Sequence, residues 1–491
     1  MSDFSGLLKE FLARKNKNVI SMAKYCNTDK STMYKFLKAS RTPASAELVS
    51  KMAAYLQLTP NEEAEFMEAY EIAQEGKVVY YRRKEVEAFL RTSFERNELV
   101  PGLKAEAGDE PLHSIRILDD QDAVENYLYK VILSEVQKDH GRLQLYITDT
   151  DDRFSRFLTN TLQNYPETAM DYIVVINDDT FEYMRDDSGY MNLKKLKYIL
   201  PMAAYGKNRN FYYQYGMVSV SEDRFLPYFT NILFSENTVV MFSGGHRRAM
   251  VITDPEICNE YRKLFAESLS VSKKLILFAD DLEQVFHYLA ELSFSNVGAK
   301  MIFEMCPCFF DNVTEELLKD KVIQGIPMRD ELISEVLAYT EYNKSVIQSG
   351  TVTLIHCFEG YRDFMENGLL RDIPSKMYIP LNMNERIEML ERYIKSIKKN
   401  DLYVLKEPIG PVQNGIYVFL YDQSLMFQFL DSTGSLKIMR LDEFSYFEAF
   451  QDYMESLIQK PELFYTRKEL LTKLNELLEE YKDRYQTTAH N

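Results

Sequence analysis

At 491 residues the chain is too long for one hydrophobic core, and a prior of about 100–200 residues per domain implies three or so units. Five scattered cysteines (Cys26, Cys258, Cys306, Cys308, Cys357) argue against a secreted disulfide scaffold, and no apolar run approaches the roughly 18–20 residues that cross a bilayer, so no membrane partner is expected. The net charge of −17 argues against nucleic acid only until it is divided: residues 1–60 hold eight Lys and two Arg against two Asp and two Glu, a balance of +6, which leaves −23 for residues 61–491.

A basic head on an acidic body confines contact with phosphate to the head. The first residues, MSDFSGLLKEF, lack a cationic start followed by an apolar core, so no secretory leader is expected and the compartment reads as a reducing cytoplasm. Residues 2–16 predict a first helix, apolar at Phe4, Leu7, Leu8, Phe11 and Leu12. From Asn18 to Arg41 the pattern is two short helices joined by a tight turn. Met22, Ala23 and Cys26 give the first an apolar face, and Met33, Phe36 and Leu37 give the second its own. Between them Asn27 tolerates a left-handed backbone and Asp29 is placed to N-cap the second helix. Lys30, Ser31, Tyr34, Lys35 and Lys38 remain outward, a single stripe that suits a major groove. Ala44 to Leu56 predicts a fourth helix, and Thr59-Pro60-Asn61-Glu62 is a capping box that starts a fifth, through about Gln74. The head is expected to close near residue 75.

On these residues the chain resembles the repressor-type helix-turn-helix family (lambda-repressor-like, XRE-like), from about Phe4 to about Tyr70. Met22-Ala23, Ser31-Thr32-Met33 and Arg41-Thr42-Pro43, followed by Leu48, Met52, Ala53 and Leu56, carry the likeness. Val19 stands where a phosphate-contacting Gln is common in the family, and Leu37 where a Glu or Asn is common. The resemblance implies five helices with the second motif helix reading double-stranded DNA. Lys30, Ser31, Thr32, Tyr34, Lys35, Lys38 and Arg41 are then the candidate DNA-binding residues, with Lys30, Ser31, Tyr34 and Lys35 on base edges and Lys38 and Arg41 on phosphates. One such head reads only a half-site, so a homodimer is expected.

Beyond the head, Lys77 to Arg96 predicts a further helix carrying Arg82-Arg83-Lys84, which could connect, dimerise or touch phosphates. Residues 97–111, rich in Pro, Gly and acids, mark a linker, so that 76–111 connects head and body. Strands at Ser114–Leu118, Leu143–Thr148 and Tyr172–Ile176 then alternate with helices at 120–138 and 152–164, a pattern of βαβ units and a largely parallel sheet. Phe211–Val218, Thr238–Phe242 and Arg248–Ile252 read as successive strands, the last feeding a helix at 254–270 capped by Asp254. Shifted by 188 residues, RAMVITDPEICNEYRKLFAESL (248–269) lies over LKIMRLDEFSYFEAFQDYMESL (436–457), and Tyr215 falls on Tyr403. The fold expected is therefore multidomain: an all-α helix-turn-helix head, 1–75, and an α/β body of two related lobes, 112–295 and 296–460. The charged closing helix within 461–491 is read as a packing or dimer helix.

Chemistry is sparse. No phosphate loop, GxGxxG, HExxH or GxSxG occurs. A duplicated α/β body resembles phospholipase-D-like lobes, whose His-x-Lys-x4-Asp motif has its nearest match in Gly244-Gly245-His246-Arg247-Arg248; Thr253 stands where the acid belongs, and Asp254 misses by one. The same five residues read equally as a hairpin turn or an anion cradle. Cys306-Pro307-Cys308 with His356 and Cys357 is weighed as a zinc set against buried strand cysteines, and His287 as a core histidine. No catalytic residue, metal or cofactor is expected. The function implied is a cytoplasmic transcriptional regulator whose body senses a small-molecule or anionic effector near Asp254, Arg247 and Arg248. The alternatives are a purely structural oligomerisation body, or a phosphodiester or nucleotide enzyme targeted by the head.

Overall fold

The computed structural model describes residues 3–91, 114–149, 151–177, 191–206, 208–216, 229–279, 301–309, 312–326, 328–348, 352–371, 373–397, 402–412, 416–421, 423–430 and 435–489. The linker 97–111 and His287 lie outside the described residues. Two compact units divide the chain, Met1–Glu85 and Val86–Asn491.

The first unit is built from α1 (Phe4–Arg14), α2 (Val19–Tyr25), α3 (Lys30–Leu37), α4 (Ala46–Leu56) and α5 (Pro60–Glu75). Each starts on a side chain that accepts from an otherwise orphaned N–H: Asp3, Asn18, Asp29, Ser45 and Thr59, the last in a full capping box with Glu62. Phe4, Leu8, Phe11, Met22, Met33, Phe36, Met52 and Phe66 meet in one core, where Phe4 stacks on Phe66 at 4.8 Å. The Ser5 hydroxyl donates to the Leu37 carbonyl at 2.6 Å, tying α1 to the end of α3. Left-handed residues follow each of the first four helices: Asn16, Asn27, Ala39 and Gln57, with φ between 47° and 57°. The sequence has no glycine between Gly6 and Gly76, so polar or small side chains take those positions. The next helix, α6 (Lys77–Leu90), runs across the division at residue 85, ten residues past the expected end of the head.

The second unit holds two mixed sheets. Its elements are β1 (Ile115–Leu118), α7 (Gln121–Val136), β2 (Arg142–Ile147), α8 (Asp152–Asn164), β3 (Ala169–Asn177), α9 (Met191–Ala204), β4 (Arg209–Gly216), β5 (Asn231–Phe234), β6 (Val239–Phe242), β7 (Ala249–Ile252), α10 (Pro255–Val271), β8 (Lys273–Lys274) and β9 (Ile276–Ala279). They continue through β10 (Met301–Glu304), α11 (Glu315–Lys321), α12 (Arg329–Gln348), β11 (Thr353–Cys357), α13 (Phe358–Asn367), α14 (Met383–Ser396) and β12 (Leu402–Leu405). The chain closes with β13 (Tyr417–Tyr421), β14 (Ser424–Leu430), β15 (Leu436–Leu441), α15 (Phe444–Ile458) and α16 (Arg467–Ala489).

The strand order of the first sheet is β1-β7-β6-β5-β2-β3-β4-β8, and of the second β12-β11-β10-β13-β14-β15-β9. Read from β4, the first runs β4-β3-β2-β5-β6-β7-β1, the same topology as the second. Directions match as well: β2, β3 and β4 are parallel, as are β10, β11 and β12, and the remaining neighbours are antiparallel. The sheets are therefore mixed, against the expectation of a largely parallel one. Helical crossovers occur in only part of each repeat, and hairpins join the later strands antiparallel. β9 lies inside the range expected for the first lobe, 112–295, yet pairs with β15 (Ile276↔Leu441) and holds the place in the second sheet that β1 holds in the first.

Packing also matches. α10 covers one face of the first sheet through Cys258 and Phe265, against Ile173, Phe234 and Ile252. α15 covers the corresponding face of the second, against Phe303, Ile355, Leu420 and Leu441, in a core it shares with β2, β3 and α7–α9. Val86, Phe89 and Leu90 of α6 enter that core, where Phe89 meets Phe427 at 5.3 Å and Phe450 at 5.6 Å. Aligned by these faces, the pair at the end of β2 differs in kind from its counterpart. Ile147 pairs with Val174 in the first sheet, whereas Glu304 pairs with His356 in the second. Leu470, Leu474, Leu477, Leu478 and Tyr481 of α16 are buried in a further core with α11–α14, so the apolar side of the closing helix packs inside the chain. Among the described residues no helix is long and apolar enough to cross a membrane.

Candidate nucleic-acid interface

α3 is eight residues with two different sides. Met33, Phe36 and Leu37 are buried, while Lys30, Ser31, Tyr34 and Lys35 are exposed, as are Lys38 at its end and Arg41 in the loop beyond. The turn before it is closed by Asn27 at φ 52°, and the Thr28 N–H donates to the Ala23 carbonyl at 2.9 Å. The N-cap takes up one candidate side chain. Thr32 donates its N–H to Asp29 Oδ1 at 2.8 Å and its hydroxyl to Asp29 Oδ2. Those bonds, the hydroxyl foremost, with Ser31 adding, hold the Asp29 carboxyl well below the usual carboxylate range. Thr32 is accordingly half-buried, and its hydroxyl faces the cap rather than the groove side. The Lys30 ammonium lies over the Tyr34 ring at 5.9 Å, an i, i+4 pair that keeps both on the open face.

A second aromatic feature flanks α2, and sequence reading missed it. Tyr25, 58% exposed, sits 5.5 Å from Tyr55, the Lys17 ammonium lies 5.5 Å over that same ring, and the Tyr55 hydroxyl donates to the Asn18 carbonyl at 3.1 Å. Thirty residues of sequence separate the two tyrosines, so no local pattern announces them.

In the body, the residues singled out for an anion do not converge. Gly244–Arg248 is a hairpin turn, with Gly245 at φ 66° and the Ser243 N–H on the Arg248 carbonyl at 3.0 Å. Arg247 and Arg248 lie before one end of β7 and Asp254 beyond the other, with the whole of Ala249–Ile252 and Thr253 between them. Asp254 caps α10, accepting from Glu256 and Ile257 at 3.0 and 3.1 Å. His246 is buried, edge-on to Phe154 and Phe242 at 5.3 Å, with Nδ1 3.8 Å from Glu125 and 4.0 Å from Asp151. Thr253, at the position of the expected acid, is past the far end of β7 with its N–H on the Ser114 carbonyl. The phospholipase-like pattern is therefore not assembled around His246.

The cysteines weighed for zinc are likewise engaged elsewhere. Cys306 lies 3.5 Å from the Val412 carbonyl and 3.9 Å from Asp363, and burial, with Asp363, holds its thiol protonated. Burial pushes the Cys357 thiol up to about 11. His356 places Nε2 3.3 Å from Glu304 and Nδ1 3.2 Å from the Tyr361 hydroxyl, which meets the Tyr393 hydroxyl at 2.7 Å. Among the described residues no group of three or more His, Cys, Asp or Glu is arranged to hold a metal. Glu304 and Lys195 are buried charges that sequence reading did not find. Lys195 donates to the Val175 carbonyl at 2.5 Å and the Thr148 carbonyl at 3.0 Å.

No protein-family model matches the chain, and no curated protein matches it in sequence. Among solved structures it is similar to the archaeal chromatin protein TrmBL2, described as showing a novel mode of DNA binding. Identity is 10% and the TM-score 0.20, over 50% of this chain and 84% of that one. A likeness of that degree carries no functional inference.

Proposed function

We propose that the chain is a sequence-specific DNA-binding transcriptional regulator, with α2 and α3 as a helix-turn-helix and the second unit as a ligand-sensing or assembly body. The supporting observation is α3 itself: a capped helix whose apolar side is wholly buried and whose exposed side carries Lys30, Ser31, Tyr34, Lys35 and Lys38, with Arg41 just beyond. That side sits in the segment of the chain with a balance of +6, where counterion release from DNA yields affinity. Base reading falls to Lys30, Ser31, Tyr34 and Lys35, and phosphate contact to Lys38 and Arg41. The body has no catalytic role in this reading.

The experiment is selection of bound duplexes from a random library, followed by titration of the winner at several salt concentrations. Lys38→Ala should weaken all sequences alike and lower the salt slope by about one, while Ser31 or Lys35 changes should alter sequence preference. If Lys30, Ser31, Tyr34 and Lys35 can all become alanine with binding intact, the reading fails.

A further inference from the structure

A single residue separates α5 from α6. α5 ends at Glu75, α6 begins at Lys77, and between them Gly76 stands at φ 87° and ψ 144°, a region of backbone space essentially closed to residues with a Cβ. Helical hydrogen bonds run up to the break and resume at once: the Gly76 N–H donates to the Ile72 carbonyl at 2.9 Å, and the Tyr80 N–H donates to the Gly76 carbonyl at 3.0 Å. With Gly76 in helical conformation instead, the N–H groups of Lys77, Val78 and Val79 would fall on the carbonyls of Ala73, Gln74 and Glu75, and α5 would run on into α6 as one helix. Nothing lies within 4 Å of a Cβ built on Gly76, so only the backbone angles bar a side chain there.

Two contacts hold the bend. The Arg83 guanidinium meets the Glu75 carboxylate at 2.9 Å, and the buried Tyr80 lies beside the Glu71 and Glu68 carboxylates of α5. In a continuous helix Tyr80 would stand about 13 Å along the axis from Glu71 and on the opposite face, and Arg83 about 12 Å from Glu75 and turned from it by about 80°. Both contacts therefore belong to the bent form. Glu68 to Arg83 all lie in the first unit, so the bend and what holds it are parts of the head. We propose that Gly76 is a two-state hinge, bent and latched by Tyr80 and Arg83 in this structure, with α5 and α6 as a single helix for its other state. The bent state has the two side-chain contacts, and the straight one has three more backbone hydrogen bonds. α6 is the chain's route out of the head, so the state of the hinge sets the direction in which the chain leaves it, and whatever binds one state better shifts the balance. The hinge stands independently of the DNA-binding reading.

Spin labels on Glu65→Cys and Lys84→Cys, both exposed positions, read the two states in the full chain by pulsed dipolar resonance. A continuous helix sets the two positions about 29 Å apart, and the bent form brings them about 10 Å closer. The native cysteines are buried or half-buried, and labelling of the chain without the two substitutions is the blank. The labelled parent should give mainly the short distance. Gly76→Ala, which favours helical angles and meets no neighbour, should move most of the population to the long one. Tyr80→Ala/Arg83→Ala, with Gly76 kept, should raise the long-distance fraction at least about threefold. A parent already at the long distance, a Gly76→Ala chain that keeps the short one, or a latch variant whose distribution matches the parent overturns the proposal. Should Gly76→Ala fail to fold, the latch variant decides, since neither Tyr80 nor Arg83 belongs to the core of the head.

Discussion

Side chains in left-handed backbone are a liability the head repeats at four helix ends. Asparagine bears that conformation with little strain, but Ala39, at φ 53°, has a Cβ that crowds the neighbouring carbonyl. Its N–H still donates to the Phe36 carbonyl at 3.1 Å, so the position does a helix-ending job that glycine does at lower cost. Ala39→Gly should raise the stability of the first unit by about 0.5–1 kcal/mol, read as slower hydrogen exchange in α3 within the full chain. Unchanged or faster exchange would show that no strain is stored there. Glu62 gives a pH dependence. Lys15 at 2.9 Å and Arg14 at 2.5 Å, with the Thr59 N–H, pull its carboxyl down to about 2 from an ordinary 4.5. A depressed carboxylate contributes stability that is complete above pH 4.5 and is lost as pH falls towards 2. Exchange protection of the α5 amides should therefore drop across that window in the wild type and stay flatter in Glu62→Gln; parallel curves for the two proteins would reject the assignment.

Equivalent elements of the two lobes allow a swap to be designed from the protein itself. Glu304 and His356 occupy the cross-strand pair that is Ile147 and Val174 in the other sheet, and Glu304 also accepts from the Cys308 N–H at 3.2 Å. Removing one member leaves the other buried without its partner, whereas replacing both restores an apolar pair that the topology already tolerates. Glu304→Ile and His356→Val alone should each cost at least about 2 kcal/mol, and the double variant markedly less than their sum. Additive losses would mean the pair is not coupled. Much at this scale was legible from residues alone. The helices at 120–138, 152–164 and 254–270 lie within two residues of α7, α8 and α10, since long amphipathic runs carry their own caps. β5, NILF, escaped notice although β1, β6 and β7 are as short and were read, and the mixed character of the sheets depends on pairings that periodicity does not encode. On α3 the exposed stripe could be read from spacing. The engagement of the Thr32 hydroxyl could not, because capping and groove-facing threonines look alike in sequence.

At the scale of the whole chain, the proposed sensing role carries a linkage requirement: an effector bound to the second unit would act on DNA only by preferring one arrangement of the protein over another. A preference of about 1–3 kcal/mol must shift operator affinity about 5–150-fold, and operator must shift effector affinity by the same factor. Thermal unfolding of the full chain against a panel of metabolites and nucleotides finds a candidate, and operator titration with it tests the linkage. A hit that leaves operator affinity unmoved would give the body a structural role instead. Chain order adds an asymmetry in time. All eight strands of the first sheet lie between residues 115 and 274, and all seven of the second between 276 and 441. During synthesis the first sheet has all its strands before any strand of the second exists. Phe89, by contrast, finds Phe427 and Phe450 only when more than three hundred further residues have emerged. The end of α6 is thus translated early, and these two ring contacts are made late.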